Sequence, residues 1–210
     1  MQYVIGVLFY LLSINFVLAD KLSAQPWTFV KEKDGIKIFT RIEPNSSLKS
    51  FRGEVIIHAP FERVCGILGN PKNNDWWDKV ISDVKVLGYE EHKFIRYYLI
   101  YHLPWPFANR DLVSETRITS DPVTGAKFYI AKPLPGVVPE KPNLVRIEKY
   151  QQIWTVQPMD KGNVRVILEG SFDPGGNIPL WVSNMVITQT PFKIMHALRE
   201  RVLSDKPLNK

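Results

Sequence analysis

The chain has 210 residues, 45% of them hydrophobic and 23% charged. These proportions are those of an ordinary globular protein and exclude a disordered, a collagen-like or a polytopic membrane chain. One cysteine, Cys65, excludes an internal disulfide framework and a cysteine-rich zinc site. The net charge of +6 suits a membrane surface, nucleic acid or an acidic ligand and selects none of them.

The chain opens with an apolar run from Val4 to Val17, polar only at Ser13 and Asn15, and no charge precedes Asp20. As a helix, Val4–Ala19 reaches about 24 Å, short of a bilayer core of about 30 Å. Ala19 and Ala24 offer small-residue cleavage positions, so residues 1–24 read as a secretory signal peptide. The n-region, Met1-Gln2-Tyr3, has no Lys or Arg, which keeps an uncleaved, membrane-anchoring signal as the alternative. Export implies a periplasmic or secreted protein whose domain is residues 25–210.

Alternation dominates the rest of the chain. Ile36, Ile38, Thr40 and Ile42 alternate with Lys37, Phe39, Arg41 and Glu43, and Phe51, Gly53, Val55 and Ile57 form a second such series. Pro60 suits the first turn of a helix, with Phe61, Val64, Cys65 and Leu68 on its apolar face. Further strands are expected at 80–87, 94–103, 110–119, 126–131, 144–157 and 163–172. Turn residues at Asp121–Gly125 and Met159–Asn163 separate several of them. Lys132–Pro142 has four prolines and one glycine in eleven residues and reads as a long loop. A last helix is expected from about Pro179 to Ser204, with Asn177 as a cap and Pro191 kinking or breaking it. The fold class is therefore α+β: an antiparallel sheet of about nine strands whose apolar face the C-terminal helix covers. A sheet curled around one long helix leaves room for a cavity between them.

Four segments carry a resemblance. Leu103-Pro104-Trp105-Pro106-Phe107-Ala108-Asn109-Arg110-Asp111-Leu112-Val113 resembles the segment of START domains that ends in Arg-Asp, an aromatic residue and Val. Asp173-Pro174-Gly175-Gly176-Asn177-Ile178-Pro179-Leu180-Trp181 resembles the entry to their last helix. Trp27 with Asp34–Arg41 is similar to their opening strands, and Phe51-Arg52-Gly53 and Trp76-Trp77 fit as well. The resemblance spans Trp27 to about Leu203 and is nearest the phosphatidylcholine-transfer-like branch of the START (StAR-related lipid-transfer) family.

The resemblance implies a helix-grip fold: a curved antiparallel sheet, an internal apolar tunnel and the C-terminal helix as lid. It also implies a protein that binds one lipid or other hydrophobic molecule, as carrier or sensor, without enzymatic activity or cofactor. The residues it places in the tunnel are Tyr97, Leu99, Tyr101, Leu112, Ser114, Thr116, Tyr150, Trp154, Trp181 and Met185. The aromatic cage that holds choline in the phosphatidylcholine branch falls here on Leu99, Leu112 and Tyr150, and its phosphate-binding Arg falls near Asn74. The acid and Arg of the sterol branch fall on Tyr97 and Thr116. Neither head-group device is intact, so a less polar ligand or a differently held head is expected. Arg110 and Asp111 are expected to hold the start of their strand. Arg146 and Glu148 are expected at the surface, and Cys65 is expected to be a packed thiol.

The rival reading is an enzyme of the cyclase or aromatase type on the same fold, working on a hydrophobic small molecule. No nucleophile elbow, zinc-protease, paired-cysteine, P-loop or dinucleotide motif is present. Nucleic-acid binding fits poorly, because basic and acidic residues are interspersed. The expected partners are one lipid and, transiently, a membrane, and a monomer is expected. Lys193, His196, Arg199 and Arg201 are read as a solvated helix face.

Overall fold

A computed structural model describes residues 25–43, 48–77, 81–103, 105–176 and 178–209, except for the side chains of Ser82, Leu180, Trp181, Asn184, Met185 and Val186. The expectations for residues 1–24 and for Asn177 as a helix cap lie outside the described residues.

Ten strands form one sheet: β1 (Thr28–Lys33), β2 (Ile36–Ile42), β3 (Lys49–His58), β4 (Ile81–Glu90), β5 (Phe94–Tyr101), β6 (Asn109–Ser120), β7 (Lys127–Pro133), β8 (Leu144–Arg146), β9 (Lys149–Pro158) and β10 (Asn163–Asp173). Their order is β1-β2-β3-β10-β9-β7-β6-β5-β4, with β8 paired to β6. Every pairing is antiparallel except β6 with β8. Helix α1 (Phe61–Gly69) lies in the connection from β3 to β4, which span the sheet from its interior to one edge. Helix α2 (Leu180–Leu203) closes the described fold.

The alternating residues of β2, β3, β9 and β10 put an apolar row into a core shared with α2. Ile36 and Ile38 of β2, Val55 and Ile57 of β3, Val156 of β9, and Val164, Val166 and Leu168 of β10 are all buried in one cluster. Met195, Leu198 and Val202 of α2 enter the same cluster. Burying each such side chain contributes about 1.5–3 kcal/mol. Gly53 of β3 lets the helix approach closely, because a Cβ there would stand 2.2 Å from Met195 Sδ. Gly175 and Gly176, each with φ of +65°, turn the chain from β10 toward α2.

Several expectations need correction. The sheet of ten strands fits the expected nine or so, and the one departure in strand number is that 144–157 divides into β8 and β9. The break follows from Asp111, whose backbone carbonyl accepts from Ile147 N at 2.8 Å and draws the chain aside. Strand β7 runs on through Pro133, paired with Ser114, so the proline-rich loop begins later than Lys132. In α1, Ile67 is buried beside Val64 and Cys65, and Pro60 occupies the position before the first helical residue. Helix α2 continues through Pro191 as one element, with Pro179 ahead of it and no side-chain cap from that residue. Arg201 is not solvated: it is buried, bonded to Asp75 at 3.0 Å and to the backbone carbonyls of Lys206 and Pro207. Those bonds tie the C-terminal tail back onto the turn that follows α1.

Candidate functional site

The concave face of the sheet and α2 line a cavity of about 440 Å³, within the range of roughly 300–1,000 Å³ for small-molecule sites. Register explains its wall. Ile95, Thr116, Ala131, Gln152, Gly170 and Phe51 are successive cross-strand neighbours on β5, β6, β7, β9, β10 and β3. All but Gly170 line the cavity. Where a glycine stands, Phe51 fills the space: a Cβ on Gly170 would lie 2.5 Å from Phe51 Cζ.

One end is aromatic. Trp154, Trp76, Trp77 and Tyr97 meet edge to face in sequence, with ring centroids 6.0, 6.5 and 4.9 Å apart. The Nε1 of Trp76 is buried with no hydrogen-bond partner among the described residues. Tyr101, Phe107, Arg110, Ile147, Tyr150 and Phe172 continue the wall, with Tyr101, Ile147 and Tyr150 packed in one cluster with Tyr97 and Trp77 and Arg110 beside the turn into α2. There Tyr150 donates its hydroxyl hydrogen to Gln152 Oε1 at 2.5 Å. Burial pushes the Tyr97, Tyr101 and Tyr150 hydroxyls above their ordinary pKa, so all three stay protonated at neutral pH.

Of the residues expected in the tunnel, Tyr97, Leu99, Tyr101, Ser114, Thr116, Tyr150 and Trp154 all stand on this wall. Leu112 is the correction. It shares the face of Ser114 and Thr116, but it is fully buried in a cluster with Ile95, Tyr97, Leu99 and Ile147 and supports the wall from within. The side chains of Trp181 and Met185 lie outside the described residues. Their helix contributes Val182, Ser183, Gln189, Thr190, Lys193 and Ile194 to the wall.

The Arg-Asp pair at the start of β6 splits across the sheet, as alternation demands. Asp111 points to the convex side, where Arg146 Nε and Nη2 hold its two oxygens at 2.8 Å and Tyr98 donates to it at 3.1 Å. Burial alone would raise the Asp111 pKa, but the Arg146 bonds and charge and the Tyr98 bond outweigh it and hold the carboxyl low. Arg146 is thus mostly buried and paired with Asp111, not exposed beside Glu148. Arg110 points to the concave side and is only 3% exposed. Its Nε and Nη2 donate to Pro174 O at 3.1 Å and Gly175 O at 3.0 Å, and Nη1 donates to Ala108 O. Burial lowers its pKa. It therefore clasps the turn into α2, and it also lines the cavity.

Sequence reasoning misses Arg110, Phe107, His102, Ala131 and Trp76 as wall residues. Arg110 is within its reach: one step back along the Leu112, Ser114, Thr116 face arrives at it. Phe107 and His102 sit in the loop between β5 and β6, where no periodicity marks direction. In that loop Trp105 is 92% exposed, between the cavity residues Leu103 and Phe107. Cys65 is buried, and burial pushes its thiol up to about 11. Among the described residues, no three or more His, Cys, Asp or Glu side chains gather as a metal site.

The family model described as the START domain matches residues 15–206. An uncharacterized protein of Pseudomonas aeruginosa, PA1579, is 27% identical over 184 residues, 88% of this chain and 90% of that protein. The rat phosphatidylcholine transfer protein is 22% identical over 167 residues, 78% of this chain and 77% of its own length. Among solved structures, the STAR-related lipid transfer protein of Xanthomonas axonopodis (fragment 25–204) superposes with a TM-score of 0.77 at 29% identity, over 86% of this chain and all of that one. Human STARD10 shares the fold, with a TM-score of 0.74 at 17% identity over 84% of this chain and 73% of its own.

Proposed function

The chain belongs to the START domain family, and from that membership we propose that it carries one lipid or other hydrophobic molecule, without chemical turnover, outside the cytoplasm. The observation that carries this reading is the largely apolar cavity between sheet and lid helix. Apolar cargo loses water contact there, at about 25 cal/mol per Å² buried. The cavity tyrosines remain protonated, and the hydroxyl of Tyr150 is engaged with Gln152, which suits a lining role better than general-base work.

Uptake requires the lid to part from the sheet. The turn at Gly175-Gly176 is the hinge in this reading, with Pro191 as a second weak point where the helix lacks one N–H rung. Trp105 provides the membrane contact: an exposed indole beside the cavity suits a bilayer interface. The apolar N-terminal run supports export through a signal peptide, and fractionation of expressing cells checks it. The function itself is tested by incubating the protein with vesicles that contain a labelled lipid, then separating protein from vesicles. About one label per chain in the protein fraction supports the carrier. Protein free of label after exposure to vesicles of several lipid compositions refutes it.

A further inference from the structure

Arg110 is a buried cation without a carboxylate. Its neighbour Asp111 is neutralised by Arg146 on the opposite side of the sheet. Arg110 has only the carbonyls of Ala108, Pro174 and Gly175, and among the described residues no Asp or Glu pairs with it. Each terminal nitrogen keeps one N–H without an acceptor among those residues. Buried charges are normally paired, because an isolated one is costly. Carbonyl dipoles hold the guanidinium in place but leave its charge uncompensated. The described wall of the cavity reinforces the imbalance: it contains Arg110 and Lys193 and no acidic residue.

Resting on the carrier reading above, we infer that the cavity selects an amphiphile with an anionic head, a carboxylate or phosphate monoester seated against Arg110. Its tail runs toward the Trp76–Trp154 end. The head replaces the missing counter-ion and accepts the two free N–H groups, a geometry suited to a guanidinium and an oxyanion. Tyr101, the direct cross-strand partner of Arg110 on the same face, also lines the cavity and offers its hydroxyl to the same head. A cavity of about 440 Å³, low in the range for small-molecule sites, suits one chain better than two.

The test uses the whole purified protein and a series with a common saturated tail: fatty acid, alkyl phosphate, methyl ester and alcohol. Binding is read at pH 7.5 by displacement of a fluorescent reporter. The acid and the phosphate are expected to bind about 10- to 100-fold more tightly than ester and alcohol, as charge-assisted bonds imply. Tyr101→Glu, which supplies a carboxylate from within, is expected to erase that preference. Arg110→Gln is expected to do the same where melting shows it folded; where it does not fold, the wild-type series and Tyr101→Glu decide. Equal binding of acid and ester by wild type overturns the anionic site and leaves the carrier reading standing. No binding by any member overturns both. Displacement of the reporter by inorganic phosphate alone assigns the site to a soluble anion and overturns the proposal.

Discussion

Ala131→Trp tests whether the cavity is the place where cargo sits. Ala131 is buried in the middle of the cross-strand row, between Thr116 and Gln152, with its methyl group on the cavity wall. An indole there projects into the open volume of about 440 Å³ rather than into a packed core. Large aromatic side chains cover about 150 Å² or more, so the variant removes about that much apolar wall from the cargo. At about 25 cal/mol per Å² the loss is about 3.8 kcal/mol, or two to three orders of magnitude in affinity. If only a third of that area is lost, uptake still falls nearly tenfold. Because the space is already present, the fold is expected to keep its melting temperature within a few degrees. The assay is uptake of labelled lipid from vesicles, with thermal melting on the same samples. A variant that melts like the wild type and takes up lipid equally well refutes the placement of the cargo.

Other parts of the molecule carry three more expected outcomes. Asp111→Asn leaves Arg146 with a neutral partner and is expected to lower stability by about 3–5 kcal/mol at pH 7 in urea unfolding. Because the Asp111 carboxyl is held low, its contribution is present above about pH 4 and lost as pH falls through the lowered value. The gap between wild type and variant therefore narrows in acid, and a gap that widens contradicts the pairing. Cys65, buried and raised to about 11, is expected to resist alkylation by iodoacetamide at pH 8 until the protein is denatured; rapid labelling of the native protein, followed by mass spectrometry, contradicts its placement. Trp105→Ala is expected to weaken sedimentation with vesicles while leaving uptake of a monomeric detergent-like probe unchanged, and loss of probe uptake instead places Trp105 inside the binding path.

Much of the architecture is legible in the chain because strands facing a core on one side write a period of two into it. Ile36–Ile42, Phe51–Ile57 and Asn163–Asp173 show it plainly, and the same alternation places Tyr97, Tyr101, Ser114 and Thr116 on the concave face. Local pattern fails where a tertiary bond overrides it. The 144–157 run breaks at Ile147 because Asp111 claims its N–H, and that bond joins residues 36 apart in sequence. The cost of burying a lone arginine argues for Arg146 in solvent. Its partner comes from the parallel neighbour strand, which no local pattern reveals. Loops are the least legible: Phe107 faces the cavity and Trp105 faces solvent, two residues apart in a segment without periodicity. Leu112 shows the converse limit, since alternation gives the face of a residue but not whether a neighbour covers it.

The most direct test of the central claim is native mass spectrometry of the full protein as purified, followed by organic extraction and identification of what is released. The account predicts one bound amphiphile per chain, released on unfolding and carrying a carboxylate or phosphate head. A protein that flies empty and also takes up no lipid from vesicles contradicts it.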